Sequence, residues 1–170
     1  MIRASRRARL WLFASGNVDM AKHGNKAVGE ALVRGYKDGD TCPLATVDVA
    51  LNTKNRNIAI EERGYGPMNP AEPNKSFWQG IADLWDISID EAKSSRCANC
   101  AAFIQTPKML ACIEDHLGLD DDYAAAGKAD MQKNRARTLD AADLGYCQLF
   151  AFKCAADRTC RAWLFGGPIT

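Results

Sequence analysis

The chain has 170 residues, of which 47% are hydrophobic, and its formal net charge is +1. This length fits one domain, or a small domain with an extension, and the balanced charge gives no electrostatic signature of a nucleic-acid partner. No stretch reaches the roughly 20 consecutive apolar residues that span a bilayer. Neither nucleic acid nor a membrane is therefore an expected partner.

The first segment, residues 1–24, is polar and basic and predicts a disordered leader. Its stretch from Ser5 to Phe13 superficially resembles a twin-arginine export signal. The apolar run from Leu10 to Ala14 is shorter than the roughly 7–15 residues that an export signal needs. We therefore expect an unstructured leader, or translation from Met20, and a cytoplasmic or virion-associated location.

Residues 25–75 are predicted to form an N-terminal extension with one short helix and two strands. The helix covers Asn25 to Arg34, and Gly35 ends it. Alternating apolar residues predict a strand over residues 45–51, and residues 58–60 form a second strand that pairs with it. Glycines and prolines are dense between residues 64 and 75, which predicts an irregular linker and the internal domain boundary.

A C-terminal unit, residues 76–170, follows this linker. Ser76 with Gln79, and Ser88 with Glu91, have the spacing of a capping box, which predicts two successive helices. The second of these helices should run up to the first cysteine of the unit. The apolar side chains of the first recur at helical spacing, and we expect them to form core instead of contacting a cofactor.

Residues 107–143 are predicted to be a helical insertion in this unit. Thr106 and Pro107 mark the start of a helix and Gly118 marks its end. The charged, alanine-rich residues that follow are typical of a solvated helix. The last segment, residues 144–170, is rich in cysteine, aromatic residues and glycine and has no clear period, so irregular backbone is expected there.

The cysteines are the most informative residues of the chain. There are seven, an odd number, and six of them follow residue 96. Cys97 and Cys100 can bind one metal centre from a single turn of chain, and Cys147 and Cys160 can complete a four-thiolate site. Aromatic residues lie close to them in the sequence, namely Phe103, Tyr146, Phe150 and Trp163. Aromatic rings exclude water, which favours an iron–sulfur cluster over most zinc sites.

These motifs resemble the cluster-binding core of high-potential iron–sulfur proteins. The resemblance rests on segments 97–103, 145–150 and 160–163, with twelve residues between Cys147 and Cys160. It implies that four cysteines each ligate one iron of a [4Fe–4S] cluster, namely Cys97, Cys100, Cys147 and Cys160. It also implies that aromatic residues form the apolar wall of the site, namely Phe103, Tyr146, Phe150 and Trp163. The fold it implies is small α+β and mostly irregular, with short helices and a small antiparallel sheet.

The resemblance covers about residues 95–165 and departs from the family in three respects. The 46 residues between Cys100 and Cys147 exceed the family's spacing, about ninety residues precede the core, and Cys112 and Cys154 are extra. Residues 158–170, with their glycine-rich tail, also resemble cluster-binding domains of tailed-phage virion proteins. That second resemblance implies a cluster used as a structural staple.

Zinc is the alternative partner of the first cysteine pair. Cys97, Cys100, Cys112 and His116 have the spacing of a zinc finger, and the last two lie four residues apart on one helix face. This set leaves three cysteines with aromatic neighbours unexplained, so the cluster is favoured. Outside the four cluster ligands, Cys42 is expected to be a small buried apolar side chain, and Cys112 and Cys154 are expected to be buried free thiols. A disulfide of Cys154 after oxidation is the alternative for that residue.

The sequence offers no nucleophile–base pair, phosphate loop or pair of catalytic carboxylates, so we expect no enzyme activity. The favoured function is a cluster-stapled structural protein that binds protein partners in a larger assembly such as a phage virion. A one-electron carrier, as in the family that the chain resembles, is the first alternative. A zinc-stabilised binding module is the second.

Overall fold

A computed structural model describes residues 18–69, 73–117 and 128–170. In these ranges the chain forms seven α-helices and one sheet of three short strands. The helices are α1 (Val18–Gly35), α2 (Leu44–Val47), α3 (Val49–Arg63), α4 (Lys75–Trp85), α5 (Ile89–Ser94), α6 (Pro107–Asp115) and α7 (Lys128–Ala141). The strands are β1 (Phe103–Ile104), β2 (Leu144–Cys147) and β3 (Phe152–Ala155), and a 3-10 turn covers Cys97–Asn99. The α+β class is as predicted, with more helix than the mostly irregular backbone expected from the sequence.

The sheet is antiparallel, with the strand order β1-β2-β3. Phe103 of β1 and Phe152 of β3 lie opposite Cys147, which is therefore in the middle of the sheet. The C-terminal tail runs along the outer edge of β1, because Gln105 N–H donates to the carbonyl of Ile169 at 2.8 Å. The outer edge of β1 is thus covered by the chain's own tail.

Helix α3 covers the other edge of the sheet. The side-chain oxygen of Asn52 accepts the backbone N–H of Lys153 at 2.8 Å. One turn later, Asn55 Nδ2 donates to the carbonyl of Ala151 at 2.8 Å. Two amide side chains on one face of α3 thereby bond backbone groups at the free edge of β3, where no further strand pairs with it.

The prediction of strands in the N-terminal extension is wrong. Residues 45–51 belong to α2 and to the start of α3, and residues 58–60 lie inside α3. Asp48, in the middle of the first predicted strand, is the N-cap of α3 and accepts the N–H of Leu51 at 2.9 Å. An aspartate at this position starts a helix by satisfying a free amide of the first turn. Gly64 ends the same helix with a φ of 60°.

The first predicted helix is present and longer than expected. Helix α1 ends at Gly35, as predicted, but it begins at Val18. Residues 18–24, which the sequence assigns to a disordered leader, are therefore helical, and residues 1–17 lie outside the described range. None of the helices in the described ranges is long and apolar enough to cross a membrane.

The helix starts of the C-terminal unit are mostly confirmed. Ser88 and Glu91 form the predicted capping box of α5, and Thr106 caps α6 with Pro107 in its first turn. The capping box at Ser76 is wrong, because α4 already begins at Lys75 after Asn74. Helices α6 and α7 lie within the predicted insertion, while Gly118 lies outside the described residues.

Three separate clusters of buried side chains hold these elements together. The first lies under one face of the sheet and includes Phe103 and Phe152. The second lies under the other face, where Tyr146 packs with residues of α2, α6 and the tail. The third joins α4 to α5 through Trp78 and Ile81. Because the two sides of β2 face different clusters, neighbouring residues of that strand enter different cores.

A disulfide joins Cys42 and Cys112, whose Cα atoms are 5.5 Å apart. It links the segment before α2 to α6, across 70 residues of sequence. The predictions that Cys42 is a lone buried side chain and that Cys112 is a free thiol are therefore wrong. The remaining five cysteines are free.

Candidate functional site

All five free cysteines line one cavity beside the sheet. They are Cys97, Cys100, Cys147, Cys154 and Cys160. The cavity holds about 380 Å³ of space between its lining atoms, including the part that opens to solvent. The rest of the lining is aromatic or aliphatic, namely Tyr65, Ala102, Phe103, Leu149, Phe150, Phe152, Ala162 and Trp163. The four predicted ligands are thus brought together, and a fifth thiol joins them.

The first two cysteines are held by the 3-10 turn. Cys100 N–H donates to the carbonyl of Cys97 at 2.9 Å, which closes the turn. The turn is fixed to the chain after β3 by two backbone hydrogen bonds. Cys97 N–H donates to the carbonyl of Arg158 at 2.7 Å, and Ala98 N–H donates to the carbonyl of Ala156 at 2.9 Å. Two cysteines separated by two residues thereby enter the cavity from one rigid turn.

Cys147 enters the cavity from the sheet. It ends β2, and the side chains of a strand alternate between its two faces. Tyr146 therefore points away from the cavity and packs in the second core cluster with Ile104 and Met109. The prediction that Tyr146 walls the site is wrong for this reason.

Cys160 enters from the C-terminal loop, which is attached to the end of α3. Gly66 N–H donates to the carbonyl of Thr159 at 3.1 Å, and Arg161 N–H donates to the carbonyl of Arg63 at 2.8 Å. These bonds hold the residues on both sides of Cys160. The linker after α3 thus helps to form the site, although no residue of the linker was predicted to belong to it.

The aromatic wall is partly the predicted one. Phe103, Phe150 and Trp163 line the cavity, as expected from their spacing to the cysteines. Tyr65 and Phe152 also line the cavity and were not predicted; their rings meet edge to face with centroids 4.9 Å apart. Neither residue lies next to one of the four predicted cysteine ligands in the sequence. The apolar wall is consequently more complete than the one predicted.

Trp163 is held in place by two hydrogen bonds. Its Nε1 donates to the carbonyl of Arg96 and to Oδ1 of Asn99, both at 2.9 Å. Both acceptors belong to the 3-10 turn or to the residue before it. The indole ring therefore ties the C-terminal loop to the turn that carries Cys97 and Cys100.

Burial makes these thiols difficult to ionise. It raises the pKa of Cys100 to about 11 and that of Cys147 to about 12, and it also raises the pKa values of Cys160 and Cys154. Transfer of a thiolate from water into an apolar cavity is unfavourable. Such thiols ionise near neutral pH only when a positive charge in the cavity compensates them.

Backbone amides act in the opposite direction. Leu164 N–H donates to Sγ of Cys100 at 3.4 Å. Further amides donate to sulfurs and lower the thiol pKa values: Ala102 to Cys100, Leu149 and Phe150 to Cys147, and Ala162 to Cys160. Amide donors directed at sulfur stabilise thiolates, and they are among the factors that tune thiolate-bound metal clusters.

A buried arginine precedes the first cysteine. Nη1 of Arg96 donates to the carbonyls of Pro67 at 3.1 Å and Asp157 at 2.8 Å, and its guanidinium lies 4.6 Å from the ring centroid of Trp78. Burial lowers the pKa of this guanidinium. Arg96 thereby connects the linker, α4 and the chain after β3 directly beside Cys97.

The predicted zinc set is not assembled. Cys112 is paired with Cys42, and Nδ1 of His116 lies 2.9 Å from the carbonyl oxygen of Cys112. Among the residues that the structure describes, no three or more histidine, cysteine, aspartate or glutamate side chains are grouped so that they could hold a single metal ion.

The fifth thiol of the cavity belongs to Cys154. Its prediction as a buried free cysteine is confirmed, since it is 2% exposed and unpaired. Its place in the cavity was not predicted. The signal was the alternation of β3, because Phe152 and Cys154 are two residues apart and share one face of the strand.

Comparison with known proteins gives no relative from which a function could be transferred. No protein-family model, curated protein or solved structure matches the chain. The function must therefore be argued from the geometry of this cavity.

Proposed function

We propose that the chain binds a [4Fe–4S] cluster in this cavity, and that the cluster staples a structural module of a larger protein assembly. The observation that carries the proposal is the convergence of all five free thiols on one apolar cavity. Thiolate ligands, aromatic walls and amide donors directed at sulfur are the features that an iron–sulfur site combines.

The donor set fits a cluster of this kind. Cys97, Cys100, Cys147 and Cys160 would each ligate one iron, as in the high-potential proteins that the sequence resembles. A single zinc ion requires every sulfur at about 2.3 Å from one point. In a cluster each thiolate binds a different iron, so the sulfurs surround a cavity instead of meeting at one point. The cationic irons would supply positive charge that compensates the thiolates of Cys100, Cys147 and Cys160, whose pKa values burial raises.

The segments that the cysteines join support the staple role. The 3-10 turn, the end of β2 and the C-terminal loop are short, and the strands have two to four residues each. Elements this short cannot bury a large core. Iron–thiolate bonds would add folding free energy at this point, as structural metals do in other small domains.

The cluster is tested by purifying the full chain without oxygen and measuring its iron, its acid-labile sulfide and its visible spectrum. We expect about four iron and about four sulfide per chain, and their loss in Cys147→Ala. The matched control is Cys42→Ala/Cys112→Ala, which removes two cysteines outside the cavity and should keep the iron. Zinc without sulfide, or no metal at all, would contradict the proposal.

The structural role needs a separate measurement. If the cluster is a staple, Cys147→Ala should lower the thermal unfolding temperature and remove the chain from its native assembly. If Cys147→Ala unfolds at the same temperature as the wild type and still assembles, the staple role is excluded while the cluster itself can remain. The resemblance to phage virion domains suggests a virion as the first assembly in which to look.

One observation favours a second function, a one-electron carrier. Leu149 lines the cavity and is 43% exposed, so the cavity lies just below the surface there. A shallow cluster can exchange electrons with a docked partner. Voltammetry of the loaded protein tests this function: a reversible wave supports a carrier, and the absence of a wave between roughly −700 and +450 mV rejects it.

A further inference from the structure

The cavity holds one thiol more than a four-iron cluster needs, and that thiol belongs to Cys154. It lies on β3, is almost fully buried and lines the same cavity as the four proposed ligands. The disulfide does not involve it. A buried free cysteine elsewhere in a core would act as a small apolar side chain, but this one faces a set of metal-binding side chains.

Cys154 approaches the cavity beside Cys97. The 3-10 turn that begins at Cys97 is hydrogen-bonded to Ala156 and Arg158, just after the end of β3. The segments that carry Cys97 and Cys154 are therefore neighbours in the cavity wall, and Cys147 on β2 lies diagonally across the sheet from Cys154.

Resting on the proposed cluster function, we propose that Cys154 is a reserve ligand, able to bind the iron of Cys97 when the Cys97 sulfur is absent. The exchange breaks the S–H bond of Cys154, releases its proton to solvent and forms one iron–thiolate bond. No electron is transferred, and the number of thiolates on the cluster stays at four. The site would thus tolerate the loss of Cys97.

The test compares iron and acid-labile sulfide in single and double variants of the full chain, prepared without oxygen. Cys154→Ala should keep the iron of the wild type, because the four primary ligands remain. Cys97→Ala should keep more than half of it through Cys154, and Cys97→Ala/Cys154→Ala should lose it. Cys160→Ala is the matched control, because Cys160 lies on the loop that is held at the end of α3 through Arg63 and Gly66, and it should lose the iron as a single variant.

The outcomes separate this inference from the function on which it rests. A wild-type chain without iron and sulfide contradicts the cluster itself. A loaded wild type with a Cys97→Ala variant as empty as the double variant overturns only the reserve role. Cys97→Ser, which nearly keeps the volume of the side chain, repeats the test if the alanine variant does not fold, and its emptiness would count equally. Loss of iron in Cys154→Ala would make Cys154 a primary ligand and would also overturn the reserve role.

Discussion

Gly145 shows how one residue shapes the cavity from outside it. It precedes Tyr146 and Cys147 on β2, and a Cβ atom added there would lie 2.4 Å from Cζ of Phe103. We expect Gly145→Ala to displace the Phe103 ring, to cost about 1–3 kcal/mol of stability by overpacking, and to reduce iron retention. Urea unfolding and iron content check both effects.

Gly80 provides the control for that substitution. It lies in α4, and an added Cβ atom would meet nothing within 4 Å. Gly80→Ala should raise the free energy of unfolding by about 0.5–1 kcal/mol, because alanine favours a helix over glycine. Equal effects of the two substitutions would show that the contact with Phe103 is unimportant.

Tyr36 gives a prediction for the effect of pH. Burial, followed by its hydrogen bond to Asp38 at 2.8 Å, raises its pKa from 10.0 to about 12. Between these two values the unfolded chain loses the phenol proton while the folded chain keeps it. The stabilisation is complete below pH 10 and is lost as the pH rises to 12. Urea titrations at increasing pH should show a steeper fall in unfolding free energy for wild type than for Tyr36→Phe, and equal slopes would refute this.

Residue patterns predicted most of the cavity lining because its cysteines carry their own signal. Two cysteines two residues apart, and later cysteines with aromatic neighbours, can be read without a structure. Tyr146 was assigned wrongly because it is the direct neighbour of Cys147 in β2. Adjacent residues of a strand point to opposite faces of the sheet, so Tyr146 faces away from the cavity. Tyr65 was missed because only the fold brings the end of α3 to the cavity.

At the scale of elements, local signals were reliable and longer patterns were not. The caps of α5 and α6 were predicted because a capping box and a Thr-Pro start involve only a few adjacent residues. The stretch 45–51 alternates like a strand, but Asp48 within it caps α3 and Val49 is exposed. In a strand, the apolar residues of such an alternation would share one buried face. Here Val47 and Val49 are exposed, so the pattern did not mark a strand.

The disulfide gives a prediction at the same scale. Cys42 and Cys112 tie the segment before α2 to α6 across 70 residues, and the loss of a native disulfide typically costs about 2–5 kcal/mol. We expect Cys42→Ser/Cys112→Ser to be less stable by about that amount in urea unfolding and to keep its iron. A double variant that loses the iron as fully as Cys147→Ala would show that the two sites are not independent.

For the whole molecule, the two kinds of cysteine are kept in different places. The disulfide joins segments next to the core cluster around Ile113, while every free thiol faces the cavity on the other side of the sheet. This separation allows a disulfide and five free thiols to coexist in one chain. The packing of α4 on α5 forms a third unit, centred on Trp78, that contains no cysteine.

This arrangement predicts which parts of the molecule depend on the cluster. After removal of the iron with a chelator and a mild oxidant, amide hydrogen exchange should accelerate in the 3-10 turn, in β2 and in the loop around Cys160, because these short elements lose their shared anchor. Exchange in α4 should change much less, since Trp78 and Ile81 remain buried against α5. Cys42→Ser/Cys112→Ser should give the complementary pattern, with faster exchange in α6. Uniform acceleration throughout the chain would mean that the cluster supports one cooperative fold, and an unchanged pattern would mean that it staples nothing.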